Sequence, residues 1–299
     1  MQAEEPDSGH GVGHSHNTES LSDLKLFAAI GINVGLTAVQ VIGGLVSGSL
    51  SLIADALHNL SDAGALGIAL LARVIGRKPP DVRRSFGYRR AEVIAALINL
   101  TTLILVGLYL VYEALWRLFN PEAIEGWIVV VIAGVALCID LITAFLTFSS
   151  SKNSVNIKAA FLHNVSDAMA SLGVMLAGSL ILLFQWYWVD TLVTLAIAGV
   201  VLWQGTSTMP VVMQLLMDGT PEHVSVPSLI ESMTSIDGVE HVYHVHVWKI
   251  DEHRSALEAH VQIRKERLGH QEDIKRELRE MLKESHSIEH STLEIEVLT

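Results

Sequence analysis

The stretch Leu50–Arg73 reads LSLIADALHNLSDAGALGIALLAR, and it decides the fold class. A helix of ~20 mainly apolar residues crosses ~30 Å of hydrocarbon, so this stretch is long enough to span a membrane. It nevertheless carries Asp55, His58 and Asp62. Ionisable side chains at bilayer depth are costly, and where they occur they mark a functional site. The stretch therefore predicts a membrane helix that carries a functional polar face.

The composition extends this membrane interpretation to most of the chain. Half of the 299 residues are hydrophobic, although the formal net charge is −12. Both facts hold because long apolar runs dominate from Leu24 to about Met209, whereas the remainder is polar and charged. We therefore exclude a soluble globular protein. The acidic balance also argues against a nucleic-acid partner, which requires a basic patch.

We expect three domains along the chain. Residues 1–22 are polar and poor in apolar side chains, which is typical of a disordered tail. Residues 23–208 are predicted to form an all-α bundle of six transmembrane helices, and residues 209–299 a charged cytoplasmic domain. The predicted spans are 25–47, 50–73, 91–118, 127–149, 156–184 and 187–207.

The distribution of lysine and arginine predicts the orientation in the membrane. The loop after the second span is rich in these residues, from Arg73 to Arg90, whereas the loops after the first and fifth spans have none. Lysine and arginine in short loops favour the cytoplasmic side. We therefore expect both termini in the cytoplasm.

The C-terminal region is predicted to be a small α+β domain of the ferredoxin-like type, because its elements follow the order helix, strand, strand, helix, strand. Strict alternation along the first strand would put His244 and His246 on one face, and Tyr243, Val245 and Val247 on the other. The predicted elements are Pro227–Ile236, Val242–Ile250, Ala256–Ile263, His270–Ser285 and Thr292–Leu298.

An internal repeat supplies the candidate functional residues. Leu57–Asp62 reads LHNLSD and Leu162–Asp167 reads LHNVSD. Residues four apart share a helix face, so each repeat presents one imidazole and one carboxylate together. Two such helices offer four nitrogen and oxygen ligands, the number that tetrahedral zinc takes. The candidate ligands are His58, Asp62, His163 and Asp167.

Two alternatives to a metal site remain at this point. In the first alternative, the four side chains are polar residues that pack the helices together. In the second, they form a proton relay without metal. A thiolate site is excluded, because Cys138 is the only cysteine.

The chain resembles the cation diffusion facilitator family, of the bacterial cobalt–zinc–cadmium resistance type. The resemblance rests on the two repeats and on GLVSGSL at 44–50, ADA at 54–56, FGYRR at 86–90 and VHVW at 245–248. It implies a homodimeric metal/proton antiporter in the bilayer of the bacterial cytoplasmic membrane, with six helices and a cytoplasmic ferredoxin-like domain. It also implies that His58, Asp62, His163 and Asp167 form the transport site and that zinc is the substrate, with no catalytic cofactor.

A second candidate metal site lies in the C-terminal region. The resemblance implies a regulatory zinc ion at the dimer interface there, and His260 aligns with a ligand, although Tyr243 stands where many relatives have a histidine. The candidate ligands are His244, His246, His260, Glu294 and Glu296. The alternative is that these histidines are solvated on a polar sheet face.

Three further histidines lie in the N-terminal tail, and they form either a weak metal site or part of a solvated segment. They are His10, His14 and His16. Of the remaining intramembrane acids, we expect Asp55 to orient an imidazole, and Asp140 to pair with a polar residue such as Gln40 or Asn33.

The sequence leaves two classes of function. One is a secondary transporter that exports divalent metal ions, zinc above all, with cadmium and cobalt as further substrates. The other is a membrane-bound metal sensor that signals through its cytoplasmic domain, but a sensor needs no ionisable site at membrane depth. A pump driven by ATP is excluded because no phosphate-binding loop is present. No catalytic nucleophile or dyad indicates an enzyme.

Overall fold

The computed structural model describes residues 31, 34–151, 155–251 and 254–297. Within these residues, five helices are long and apolar enough to cross a membrane, and a shorter apolar helix precedes them. The helices are α1 (Val34–Ser47), α2 (Leu50–Gly76), α3 (Ala91–Phe119), α4 (Gly126–Ser151), α5 (Val155–Phe184) and α6 (Trp188–Leu216). The predicted first span begins in residues that lie outside those described.

The helix bounds follow the predicted apolar runs, with one difference. Helices α2 to α5 begin and end within three residues of the predicted spans. Helix α6 instead passes through Pro210 and continues to Leu216, beyond the predicted end at 207. Its last turns are still apolar, and Val212 packs against Val93 and Leu100 of α3. Tertiary packing therefore extends the helix past the point where turn-forming residues predict an end.

The described residues form two compact units, and the first contains residues up to Ala63 together with Glu113–Ile197. In this unit α4 packs closely along α5. A Cβ atom at Gly178 would lie 2.9 Å from the side chain of Val129, so only glycine permits this approach. Small residues at helix interfaces of this kind allow close van der Waals packing, which drives helix association where water is absent.

A buried carboxylate fixes the start of α2 in this unit. Asp190, at the start of α6, is 1 % exposed. It accepts hydrogen bonds from the Ser49 hydroxyl at 2.6 Å and the Ser51 hydroxyl at 2.5 Å. It also accepts from the backbone N–H groups of Leu50 at 2.8 Å and Ser51 at 3.2 Å. Because a helix N-terminus has unpaired N–H groups and partial positive charge, this carboxylate serves as its cap.

The second unit contains Gly64–Tyr112 and the residues from Ala198 onward. Its helical part depends on the close approach of α3 and α6, since a Cβ atom at Gly107 would lie 2.8 Å from Leu202. The loop between α2 and α3 is ordered by Asp81, which accepts hydrogen bonds from the Tyr88 hydroxyl at 2.5 Å and from the N–H groups of Arg83 and Arg84 at 2.8 Å. These hydrogen bonds lower the pKa of Asp81, and the one from Tyr88 has the largest effect.

Two arginines attach this loop to the C-terminal region of the same unit. Arg89 donates to Asp251 at 3.2 Å, and Arg90 forms an ion pair with Asp218. Both arginines belong to the FGYRR segment that follows the second span.

The C-terminal domain has the predicted element order. It consists of α7 (Val226–Thr234), β1 (Val239–Lys249), β2 (Ser255–Ile263), α8 (Gln271–His286) and β3 (Ile288–Val297), with a short 3-10 turn at Lys265–His270. The sheet order is β1-β2-β3, with β1 antiparallel and β3 parallel to β2. Residues at helical spacing on α8, Ile274, Leu278 and Leu282, pack with Leu257 and Val261 of β2 in the core.

A bulge in β1 overturns one expectation about this sheet. Tyr243 lies opposite His260, but His246 lies opposite Glu258, so β1 has one residue more than β2 between these pairs. The extra residue is accommodated at His244, which has a φ of 51°. Because the bulge breaks the alternation of side chains, Tyr243 reaches the same polar face as His246 and His260. The prediction that Tyr243 faces the other way was wrong.

The cap of α2 leads to a first prediction. Asp190→Ala should lower the free energy of unfolding by roughly 1–3 kcal/mol, because it leaves buried hydroxyl and N–H donors without an acceptor. Thermal unfolding of the purified protein in detergent micelles measures this effect. Ser207→Ala is the matched control, since that exposed hydroxyl on the same helix bonds only to the carbonyl of Trp203. Equal melting temperatures for the two variants would contradict the role of Asp190.

Candidate metal centres

The repeated His-x-x-x-Asp motifs meet in the first unit. His58 and Asp62 lie on α2, and His163 and Asp167 lie on α5. Both helices are regular here, so each motif presents its two side chains on one face. The Nε2 atom of His58 is 3.7 Å from Asp62 and 3.5 Å from Asp167. The Nε2 atom of His163 is 3.3 Å from Asp62 and 3.5 Å from Asp167.

The four imidazole–carboxylate separations are compatible with metal ligands, and His58, Asp62 and Asp167 each offer a ligand atom within 4.8 Å of the others. His163 lies farther from His58, with ring centroids 6.3 Å apart. Zinc bonds to nitrogen and oxygen ligands of ~2.0–2.2 Å, arranged as a tetrahedron, place the ligand atoms ~3.3–3.6 Å apart. The inward oxygens of Asp62 and Asp167 are buried and find no hydrogen-bond partner among the described residues. Buried carboxylate oxygens are normally paired, so these two are available to a cation. His58 and Asp167 are buried, whereas His163 is exposed and leaves one side of the cluster open.

The neighbouring acids have partners different from those expected. Asp55 is fully buried and accepts a hydrogen bond from Gln40 at 2.6 Å. Asp140 instead accepts from Ser171 at 3.0 Å, and Ser171 lies 3.3 Å from Asp55 as well. Asp140 thus pairs with a polar side chain as expected, but the described partner is Ser171 and not Gln40, and Asn33 lies outside the described residues. Asp55 lies three residues before His58 on α2. Its described hydrogen bonds come from Gln40 and Ser171 and not from an imidazole.

In the C-terminal domain, a carboxylate and imidazole cluster surrounds His260. Its Nδ1 atom is 2.8 Å from Glu296, and its Nε2 atom is 3.7 Å from Glu294. The Tyr243 hydroxyl donates to the other oxygen of Glu296. The hydrogen bond with Glu296 raises the pKa of His260 above its ordinary value, and the negative charge of Glu294 adds to this. The bonds from Tyr243 and His260 lower the pKa of Glu296.

The predicted set of five ligands in this domain does not form one cluster. His244 and His246 group with Glu258 of β2, which the sequence interpretation had not identified. Glu258 lies opposite His246 in the sheet register, and register is the only signal that could have found it.

Comparison with known proteins places this geometry in a family. Residues 26–217 match the family model for the cation efflux transmembrane domain, and residues 221–297 match that for the cytoplasmic domain of cation efflux proteins. The chain belongs to the cation diffusion facilitator family. Membership makes it a multi-pass membrane transporter of cations and not an enzyme, as predicted.

Several curated relatives resemble this cation diffusion facilitator along almost its whole length. A cadmium, cobalt and zinc/H(+)-K(+) antiporter of Bacillus subtilis is 34% identical over 288 residues, covering 95% of this chain and 92% of the relative. The zinc transporter ZitB of Pectobacterium atrosepticum is 34% identical over 286 residues, covering 95% and 88%. The metal cation efflux protein CzcD of Cupriavidus metallidurans is 33% identical over 288 residues, covering 96% and 90%.

The tail histidines of this cation diffusion facilitator, His10, His14 and His16, lie outside the described residues. The tail site therefore stays a prediction from the sequence.

The contact between His260 and Glu296 leads to a second prediction for this facilitator. Because the carboxylate stabilises the imidazolium, His260 should keep its proton to a higher pH than an ordinary histidine. Metal binding there must displace that proton, so zinc affinity should begin to fall on acidification above the ordinary histidine pKa. Glu296→Gln should lower the pKa of His260, as measured by NMR of ¹³C-labelled histidine in the full chain.

Glu289→Gln is the control for this measurement, since Glu289 is an exposed glutamate at the other end of β3. A pKa of His260 that moves equally in both variants would show that Glu296 exerts no specific effect.

Proposed function

We propose that this protein exports divalent metal ions from the cytoplasm in exchange for protons, with zinc as the principal substrate. The observation that carries the proposal is the approach of two imidazoles and two carboxylates from α2 and α5, with four imidazole–carboxylate separations of 3.3 to 3.7 Å. These separations are close to those between the ligands of a zinc ion. Relatives named as cadmium, cobalt and zinc antiporters and as zinc transporters support it. We assign the transport site to His58, Asp62, His163 and Asp167.

Charge balance provides a physical basis for the exchange. With both imidazoles neutral and both carboxylates ionised, the empty site has a charge of −2, which is costly at membrane depth. One zinc ion neutralises that charge, and so do two protons, one on each histidine. Metal binding requires deprotonated ligands, so zinc and protons compete for the same atoms. Exchange is favoured because the site is neutral in both loaded forms.

The histidines suit the direction of transport. Imidazole gains or loses its proton near neutral pH, so a modest difference in proton concentration changes its occupancy. On the cytoplasmic side zinc displaces protons, and on the outer side protons return and release zinc. Because one zinc ion exchanges for two protons, no net charge moves, and the proton concentration gradient drives this cycle without ATP.

The membrane arrangement belongs to the same proposal. We infer six spans, with α1 as part of the first, in the bacterial cytoplasmic membrane and with both termini in the cytoplasm. The basic loop between α2 and α3 supports this orientation. We further propose a homodimer whose cytoplasmic domain is ferredoxin-like. In that domain His260, Glu294 and Glu296 are the residues proposed to bind a regulatory zinc ion.

A membrane-bound sensor is the alternative function. It would require metal binding in the cytoplasmic domain, but no transport across the bilayer. Metal flux in reconstituted vesicles distinguishes the two, because a sensor yields none.

The transport site leads to a third prediction. Asp62→Ala and Asp167→Ala should each reduce proton-driven zinc flux in proteoliposomes to the level of protein-free vesicles. Each change removes one of only four ligands and half of the negative charge that balances zinc. Ser166→Ala is the matched control, because this exposed residue of the second repeat directly precedes Asp167. Near-normal flux in both aspartate variants would refute the assignment.

Selectivity leads to a fourth prediction. His58→Asp should shift the preference from zinc towards manganese, because imidazole suits zinc, whereas carboxylate suits harder ions. Competition between zinc and manganese in the same flux assay measures the shift. The wild-type order of preference in the variant would show that His58 does not set selectivity.

A further inference from the structure

The polar face of the cytoplasmic sheet has two separate groups of metal-binding side chains. The first surrounds His260 and includes Glu294 and Glu296. The second consists of His244 and His246 of β1 with Glu258 of β2. We propose that this second group binds its own divalent metal ion of the zinc or cobalt class, independently of the transport site.

The geometry of the second group is that of a three-ligand site. One potential ligand atom from each of its three residues lies within 4.8 Å of the others. The ring centroids of His244 and His246 are 4.7 Å apart and the rings are perpendicular, so their nitrogens can point to a common position. Glu258 lies directly opposite His246 across the antiparallel pair, which brings their side chains together on one face.

The backbone at His244 supports a functional role for this group. Its φ of 51° is in the left-handed region, where only a few per cent of residues other than glycine lie, histidine being among the more frequent of these. It occurs at the bulge, where the strand has one residue more than its partner. Bulges often redirect a side chain beside a functional site, and strained residues cluster at ligand sites. Here the bulge leaves the His244 ring between His246 and His260, at 4.7 and 5.1 Å.

The ligand set predicts which ions bind and how. Two imidazoles and a carboxylate suit zinc and cobalt and leave a fourth position for water. All three side chains are exposed, so a bound ion can exchange with the cytoplasm. His246 and Glu258 also line a cavity of about 850 Å³ with Arg89 and Arg90. This group offers three exposed ligands, one fewer than the proposed transport site, so its zinc affinity should be lower.

Counting bound zinc in the full-length protein tests the proposal. The background carries Asp62→Ala and Asp167→Ala, so that the transport site does not contribute and the result does not depend on transport. Zinc bound per chain is measured by equilibrium dialysis in detergent, and circular dichroism verifies the fold of each variant. We expect His246→Gln and Glu258→Gln each to lose one zinc ion per chain.

Matched controls identify the site that is lost. His241→Gln and Glu280→Gln remove an exposed imidazole on β1 and an exposed carboxylate on α8, and both should bind as much zinc as the background. His260→Gln should lose a different zinc ion. The double variant, His246→Gln with His260→Gln, should therefore lose two zinc ions per chain. If His260→Gln loses no zinc ion while Glu258→Gln loses one, the result supports the second site and contradicts the proposed role of His260 as a regulatory zinc ligand.

Two results would overturn the second site. One is a Glu258→Gln variant that binds as much zinc as Glu280→Gln. The other is a double variant, His246→Gln with His260→Gln, that loses no more zinc than His260→Gln alone, because a single merged site would then explain both losses.

Discussion

Charge at bilayer depth must be compensated, and the arrangement of the first unit follows from this requirement. Asp62 and Asp167 face two imidazoles across α2 and α5 at 3.3 to 3.7 Å. Among the described residues their inward oxygens have no hydrogen-bond donor, so a cation or protons would compensate their charge. Asp55, about two turns before Asp62 on α2, accepts a hydrogen bond from the side-chain amide of Gln40 at 2.6 Å on one oxygen, while its other oxygen has no partner among the described residues. What distinguishes Asp62 and Asp167 is that their oxygens face the two imidazoles, whereas the hydrogen-bonded oxygen of Asp55 faces Gln40 and Ser171.

Local periodicity was enough to predict that His58, Asp62, His163 and Asp167 lie close together. Each His-x-x-x-Asp motif fixes a pair of side chains on one helix face, and the duplication of the motif indicates a common target. The partners of Asp55 and Asp140 could not be predicted in this way. They depend on the rotation and depth of helices that are far apart in sequence, and many combinations of Gln40, Ser171 and the two acids satisfy the same apolar pattern.

In the cytoplasmic domain, too, contacts between segments far apart in sequence could not be predicted, here because they depend on the pairing of strands. The order of its helices and strands follows from alternation and turn residues, and it was predicted correctly. The grouping of its histidines was not, because it depends on the register between β1 and β2 and on one extra residue at His244. A shift of one residue moves every later side chain to the opposite face, so a single bulge was sufficient to bring Tyr243 beside His260.

The capping of α2 by Asp190 also determines how that helix can move. Four hydrogen bonds hold its first residues to the start of α6, so a sliding motion would break them all, whereas a tilt about this end would keep them. His58 lies about 12 Å along the helix from Leu50 at ~1.5 Å per residue. A tilt of about 10° would carry it sideways by about 2 Å, comparable to the helix shifts that accompany switching in other proteins. Asp190 thus fixes one end of α2 as a pivot, and a small change of tilt about that end would alter the separations between His58 and the side chains of α5.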